Sequence, residues 1–377
     1  MKTIELGEIA TYQNGYAFKP SDWSDNGLPI IRIQNLNDEK KDFNYYDGDL
    51  EKKYFVQDGD VLIAWSASLG IYVWNRGDAW LNQHIFKVIF KSDEVIKLYF
   101  VYAVQEILKN IENKLHGSTM KHITKKKFLK LKMPLPCLEE QKRIVAKLNR
   151  AQRINKIDVE MRDQYDGLIQ SLFLEMFGDP MTNYTEWEEV KIKKLGEIVL
   201  GNTPPKKDPE NYGDEIEWVK TSNIDKSSIY PSEAEEYLSK KGKELGRVIP
   251  EGSLIVCCIA GSLSSIGKCA ITDRDIAINQ QINAIVPDSE VVDVNYLYTF
   301  LLVGQELIQD ASTKSMKGMV SKTRFKEIEL MLPPLELQKE FSQIFEKIVD
   351  EKRKLIMESG KSQELYSSLL QQSFAYE

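Results

Sequence analysis

The chain is written twice, so its fold must accommodate two copies of one unit. Leu6-Gly7-Glu8-Ile9 recurs as Leu195-Gly196-Glu197-Ile198, and Asp58-Gly59-Asp60-Val61-Leu62-Ile63 as Glu251-Gly252-Ser253-Leu254-Ile255-Val256. Asn82-Gln83-His84-Ile85 returns as Asn279-Gln280-Gln281-Ile282, an offset of 197 residues. The same offset carries Phe128 onto Phe325, Leu168 onto Leu365 and Phe177 onto Phe374. It also carries Pro136-Cys137-Leu138-Glu139-Glu140-Gln141-Lys142 onto Pro333-Pro334-Leu335-Glu336-Leu337-Gln338-Lys339. One unit of about 190 residues is present in two diverged copies.

Proline placement divides each copy. All 13 prolines lie outside two windows, 137–179 and 335–377. Proline inside a helix costs about 3 kcal/mol, so such windows predict long helices. In the first, Ile144, Leu148, Ala151, Ile154, Ile157, Met161, Tyr165, Leu168, Leu172 and Met176 step by three or four. In the second, Phe341, Ile344/Phe345, Ile348, Leu355, Tyr366, Leu369 and Ser373 do the same, with a polar weakening at 358–363 that includes Gly360. A narrow stripe on a long helix buries best against another such helix. The expectation is therefore an antiparallel coiled coil whose helices, at 1.5 Å per residue, are ~58 Å long.

The remaining parts read as mixed structure. Runs such as Pro29–Ile33, Val61–Trp65, Ile85–Phe90 and Ile255–Ile259 lie between Gly, Asp and Asn turns and predict strands. Helices follow from about Asp93, as N-cap, to Leu115, and from about Asp293 to Gln309. The fold class expected is α+β: two globular α/β domains related by the internal repeat, 1–136 and 181–334, joined by long helices at 137–180 and 335–377.

Composition narrows the function. No run of 18 or so apolar residues provides a membrane span, and the N-terminus lacks the apolar core of a secretory signal. The four cysteines, Cys137, Cys257, Cys258 and Cys269, form no CxxC pair and read as reduced cytoplasmic thiols. Three histidines leave little for a zinc site or a His-based catalytic centre. A net charge of −7 argues against a protein that coats DNA non-specifically. Two basic clusters nevertheless stand at matching positions: Lys121, His122, Lys125, Lys126, Lys127, Lys130 and Lys132, and Lys314, Lys317, Lys322, Arg324 and Lys326.

Enzymatic signals fail on inspection. Gly261–Lys268 has five residues between its glycines where a P-loop has four, and Cys269 replaces the magnesium-binding Ser/Thr. Glu51-Lys52-Lys53 after Asp49 carries a nuclease-like Glu-x-Lys at chance level. Thr203-Pro204-Pro205-Lys206 is not the Asn-Pro-Pro-Tyr signature of adenine methyltransferases, and no glycine-rich cofactor loop exists. No catalytic centre and no cofactor are expected.

The order of features resembles the specificity subunit of Type I restriction-modification systems. It begins with a glycine-aromatic opening (Asn14-Gly15-Tyr16-Ala17-Phe18; Gly201-Asn202-Thr203-Pro204), then an Arg/Lys-then-Asn strand (Arg32…Asn35; Lys220…Asn223). Asp/Glu-Gly-(Asp/Ser), the Asn-Gln pair, the Pro-x-Leu-Glu-x-Gln-Lys helix start and Leu172–Asp179 complete it, across essentially the whole chain. The resemblance implies a non-catalytic subunit in which each globular part reads one half of a split DNA sequence. It also implies that the helices set the gap and hold two adenine methyltransferase subunits, to which restriction/translocase subunits join. A stand-alone nuclease using Asp49, Glu51 and Lys53, or an adaptor that no longer reads DNA, are the alternatives.

Candidate DNA contacts follow from side-chain chemistry. Asn82, Gln83 and Asn279, Gln280 carry amides suited to adenine in the major groove; the plain alternative is a polar turn capping backbone groups. Shared residues should build scaffold while differing ones read bases, as His84 differs from Gln281. Arg32 and Gln34, with counterparts Lys220 and Ser222, reach base edges or phosphate, or sit in surface ion pairs; Asn35 and Asn223 accompany them. Ser118, Thr119, Lys121 and His122, and Ser315 and Lys317, suit phosphate clamping. Ser66 and Ser68 after Trp65, Ser262 after Ala260-Gly261, and Lys206 complete the set, while Trp65, Tyr16 and Phe18 read as core.

Overall fold

The structure is a computed structural model describing residues 2–66, 68–114, 124–313 and 318–374. Two compact units are present: Met1–Asp158 together with Met357–Glu377, and Val159–Ile356. Each contains one copy of a two-sheet arrangement. In unit 1 an antiparallel sheet runs Ala10–Asn14, Ile85–Phe90, Val61–Ala64, Gly70–Val73. A second sheet runs Asn44–Tyr46, Leu28–Ile31, Ala79–Leu81, Phe55–Val56. Unit 2 repeats the first sheet as Gly196–Leu200, Ile282–Pro287, Leu254–Cys257, Cys269–Ile271. In both units one strand of the second sheet is paired in parallel, Ile31 with Leu81 and Val219 with Ile278.

The alternation of strand side chains explains the layers. Along Val61–Ala64, Val61 and Ile63 join one core cluster while Leu62 joins another. In unit 2, Leu254 and Val256 face one cluster and Ile255 the other. A strand covered on both faces carries a continuous apolar run, and period two sends alternate residues to opposite sides. Ile85–Phe90 forms with the expected bounds and Val61–Ala64 ends one residue early, while the expected Ile255–Ile259 strand is split at Cys258 into Leu254–Cys257 and Ile259–Ala260. Arg32 and Asn35 are a difference: the strand stops at Ile31, and a one-turn helix, Ile33–Asn37, follows. The Asn35 carboxamide accepts from the Arg32 backbone N–H at 3.1 Å, which starts that turn.

Four helices matter below: α1 (Lys97–Lys114), α2 (Leu138–Phe177), α3 (Val294–Val303) and α4 (Leu335–Phe374). Asp293 caps α3 through the N–H groups of Asn295 and Tyr296, and the helix breaks at Gly304 before a last turn, Gln305–Asp310. In unit 1 the helix starts later than Asp93, at Lys97, and the Ile96 N–H just before it donates to Gln141 Oε1 at 2.8 Å. That glutamine explains the repeated Pro-x-Leu-Glu-x-Gln-Lys motif. Fully buried, Gln141 also donates to the Glu94 and Pro136 carbonyls. Gln338 does the same in unit 2, accepting from Asp293 N–H and donating to Pro333 O.

Each unit's core includes parts of both long helices. In unit 1, Ile144, Val145, Leu148 and Ala151 of α2 pack with Tyr366, Leu370 and Phe374 of α4. In unit 2, Ile169, Phe173 and Phe177 of α2 pack with Phe341, Phe345, Ile348 and Val349. The start of α2 therefore meets the end of α4, and its end meets the start of α4: in each unit the helices are antiparallel. A buried phenylalanine contributes about 1.5–3 kcal/mol. The expected apolar stripe of α2 holds at its ends and fails between them: Ile154, Ile157, Met161 and Leu168 are exposed. The inward positions are instead polar, with Asn155 donating to Gln363 at 2.9 Å in unit 1 and Asp166 bound to Lys352 at 2.5 Å in unit 2.

Candidate nucleic-acid interface

Four chain segments converge in each unit around the Asn-Gln turn. In unit 1 the Gly15–Tyr16 segment lies against it: Tyr16 N–H donates to Leu81 O and Gln83 N–H to Tyr16 O, at 2.7 and 2.9 Å. Asn82 N–H donates to Ile31 O, joining the turn to the strand before Arg32. Trp65 N–H reaches His84 O at 3.5 Å, bringing in the Trp65–Ser68 segment. Unit 2 repeats the arrangement through Asn202 to Ile278 O, Asn279 to Val219 O, and Cys258 to Gln281 O, at 3.1, 3.0 and 2.9 Å. The repeated glycines are needed for this approach. A Cβ on Gly15 would sit 2.2 Å from Leu81 O, and one on Gly201 1.9 Å from Asn279 O.

Within this shared frame the side chains differ. His84 is exposed, with its ring 5.7 Å from Trp65 and its Nε2 3.4 Å from Gln83 Nε2. Gln281 is half-buried and donates to Ile259 O at 3.2 Å. Asn279 is buried, its Oδ1 accepting from Gln281 N–H, so it holds the turn rather than presenting an edge. Asn82 is half-buried. Gln280 is exposed and accepts from the Thr203 hydroxyl.

Two further expected contacts, besides Asn279, are corrected. Asn35 is fully buried and spends its amide donors on Lys41 O and Asp42 O. Asn223 is its double, donating to Ser232 Oγ and Glu233 O. Both are braces for the loop after them, and a buried amide so engaged has nothing left for a base. Their neighbours are partly engaged. Arg32 donates to Asn44 Oδ1 at 2.8 Å and lies 5.5 Å over Trp23, and Lys220 pairs with Glu236. Gln34, Ser222 and Lys206 are exposed. Ser66 and Ser68 are half-buried, while Ser262 is exposed and shares hydrogen bonds with Ser264 and Ser265. Trp65 stacks on Phe86 at 5.5 Å, as a core-edge residue does. Tyr16 and Phe18 are half-buried in an aromatic cluster with Tyr46 and Tyr54.

Ser118, Thr119, Lys121, His122, Ser315 and Lys317 lie outside the described residues. Their flanks are described, and both reach the Asn-Gln turn. Lys125 donates to Tyr12 O at 2.7 Å and lies 3.4 Å from Asn14 Oδ1, and Asn14 in turn donates to Gln83 O. In unit 2, Gly318–Met319 pairs with Ile259–Ala260, directly beside the Gln281 side chain. Sequence reasoning missed Lys125 and Thr203 as neighbours of the turn. The signal was present, since Lys125 opens the basic cluster and Thr203 follows the glycine opening. Glu51 and Lys53 are paired with each other at 2.7 Å on the surface. Among the described residues no group of His, Cys, Asp and Glu could hold a metal ion, and no helix is long and apolar enough to cross a membrane.

Two copies of an α+β unit, each carrying the same loop convergence and packed on antiparallel segments of two long helices, define the class of scaffold. The chain belongs to the Type I restriction modification DNA specificity domain family, which matches residues 1–162 and again 184–365. The EcoBI specificity subunit of Escherichia coli is 24% identical over 365 residues, covering 88% of this chain and 75% of that one. The HindI specificity subunit of Haemophilus influenzae is 31% identical over 176 residues, 43% of this chain and 36% of its own. Two solved structures share the fold. A chain from a study of assembly and conformational transition of the type I R-M system gives a TM-score of 0.59 at 17% identity, covering 99% of this chain and 97% of that one. The S subunit from M. genitalium gives 0.54 at 13%, covering 100% and 96%.

Proposed function

We propose that this chain is the non-catalytic, sequence-reading subunit of a Type I restriction-modification complex, acting in the cytoplasm on a bipartite, asymmetric DNA target. The domains at 1–136 and 181–334 each read one half-site, and the helices of 137–180 and 335–377 space them and carry two methyltransferase subunits, with restriction subunits joining. One observation carries this reading: the two Asn-Gln turns are held by matching backbone bonds yet present His84 in one copy and Gln281 in the other. An identical frame with different side chains suits two readers of different sequences. The first long helix, Leu138–Phe177, carries as many acidic as basic residues and so has no basic excess for a DNA backbone, which fits a protein-binding rather than a DNA-binding helix.

The deciding experiment is a methylome. The chain is co-expressed with its methyltransferase subunit in a methylation-free host, and N6-methyladenine is mapped by long-read sequencing. Methylation confined to one split, asymmetric motif and absent without this chain is the expected result. No new methylation, with the partner bound and active beside another specificity chain, overturns the reading.

A further inference from the structure

In unit 2 the segment between Asn223 and Glu233 folds back over the first sheet. Ile229 O accepts from Ile271 N–H at 2.8 Å, so the segment pairs with the edge strand Cys269–Ile271. Ile229 is buried in the core beneath, and Tyr230 packs beside it under Arg353, whose guanidinium lies 5.8 Å from the ring. Lys352 faces the carbonyl of Ser227 at 3.5 Å. The chain thus fills its own groove between edge strand and α3 with an aliphatic–aromatic pair and a backbone bond.

Unit 1 has the same groove with no such occupant among the described residues. Asn35 closes its loop on Asp42 O, 7 residues on, where Asn223 closes on Glu233 O, 10 residues on. The shorter loop carries Asn37-Asp38-Glu39-Lys40 where the longer one carries Ile229-Tyr230. It touches the strand through Asn37, which accepts from the Tyr72 hydroxyl at 2.6 Å. What remains is a groove of about 600 Å³ between Gly70–Val73 and α1, where the apolar Leu69, Ile71, Val73, Leu98, Val101 and Leu108 alternate with polar groups that include Gln105, Lys109, Glu112 and Gln152. Exposure records the difference: Val73 is 38% exposed, while Ile271 at the same ladder position is 5% exposed. Since Trp74 N–H donates inward to Asp60 O, as Thr272 N–H does to Ser253 O, the N–H of Val73 points outward like that of Ile271.

We propose that the unit 1 groove is a docking site for a partner protein, which inserts an extended segment with an aliphatic–aromatic pair and adds it as a strand to Gly70–Val73. The second copy shows what such an occupant looks like, because it carries one in cis. An exposed edge beside a trough with an apolar floor and polar groups is the arrangement that strand addition uses: the backbone gives affinity and the pocket gives selectivity. The inference does not depend on the DNA reading, and its failure leaves that reading untouched.

The test uses the full chain and a fluorescein-labelled peptide of sequence Asp-Lys-Ser-Ser-Ile-Tyr-Pro-Ser, copied from residues 225–232. Saturable binding by anisotropy is expected, at least tenfold weaker when Ile-Tyr in the peptide becomes Ser-Ser. Leu98→Arg and Val73→Lys, both at exposed rim positions, should each weaken it as much while leaving the circular dichroism spectrum and melting temperature unchanged. Hydrogen exchange should slow at Gly70–Val73 on binding. The proposal is overturned if a scrambled peptide binds equally, if neither rim variant changes affinity, or if protection falls elsewhere. It is also overturned if the chain self-associates through this groove, with dimers lost in both rim variants, since the occupant is then a second copy.

Discussion

Lys352 and Asp166, joined at 2.5 Å in unit 2, stand 197 residues after Asn155 and 197 before Gln363, the pair joined at 2.9 Å in unit 1. One layer of the helix pair therefore exists twice, once as an ion pair and once as a neutral amide pair. Polar layers in an apolar seam fix register at a cost in stability.

The two layers should respond differently to truncation. Lys352 is buried, at 8% side-chain exposure, so removing its carboxylate leaves a charge without its counter-ion. Asp166→Ala is expected to cost about 2 kcal/mol, below the usual figure for a fully buried pair because Asp166 itself is 38% exposed. Gln363→Ala, which removes one neutral and exposed hydrogen bond, should cost about 0.5 kcal/mol. Urea unfolding of the two variants checks the ranking. The double variant Asp166→Leu/Lys352→Met should recover most of the loss, which an interaction of purely local backbone origin would not.

Gln141 and Gln338 make a sharper pair. Each is fully buried and bonded to backbone groups at the point where a long helix leaves its globular part. Gln141→Leu strands the Ile96 N–H and two carbonyls, and should cost about 2–3 kcal/mol. Gln338→Leu strands one N–H and one carbonyl and should cost less. Hydrogen exchange at Ile96 and Asp293 reads each loss locally, without relying on a single melting transition for a two-unit chain.

Much of this was legible in the sequence, for identifiable reasons. Proline avoidance placed helices at 137–179 and 335–377, and they run Leu138–Phe177 and Leu335–Phe374. A 40-residue helix leaves an unmistakable composition. The middle of the seam was not legible, because choosing apolar residues at steps of three or four selects Ile154, Ile157 and Met161 over Asn155, Asp158 and Arg162. Hydrophobicity alone cannot tell which row faces inward when polar side chains find partners there. At the interface, the backbone role of Asn35 and Asn223 was hidden for a similar reason: an amide that braces a loop and one that reads a base look alike in sequence. The backbone bonds distinguish them.

The cysteines should divide three to one in reactivity. Cys137 is exposed, whereas Cys257, Cys258 and Cys269 are buried. Burial pushes the Cys257 thiol up to about 11 and Cys269 to about 12, so neither forms appreciable thiolate at pH 8. One equivalent of Ellman's reagent should react at once in the native protein, and three more only in denaturant. Cys137→Ser should abolish the fast phase and leave the fold intact.

Two glycines inside the long helices offer stabilisation. A Cβ at Gly167 or Gly360 would meet nothing within 4 Å. Both lie in helical backbone, where glycine costs roughly 0.5–1 kcal/mol relative to alanine. Gly167→Ala and Gly360→Ala should each raise stability by that amount in thermal or urea unfolding. A loss of stability in either would show that its helix needs the glycine's freedom.

If the Asn-Gln turns face bases, exchanging their variable residue should alter one half-site at a time. His84 and Gln281 occupy matching places, and His84 is the more exposed. A well-placed side chain pair to a base is worth about 1–3 kcal/mol of discrimination, roughly tenfold or more in preference. His84→Ala is therefore expected to relax one position in one half of the methylated motif, with the other half unchanged, as read from the methylome of the co-expressed complex. Gln281→Ala should relax the opposite half. The exposed Lys206, if it contacts phosphate, should behave differently: Lys206→Ala should weaken binding evenly across sequences and lower the salt slope by about one. Relaxation in both halves from a single substitution would mean that the two turns are not separate readers.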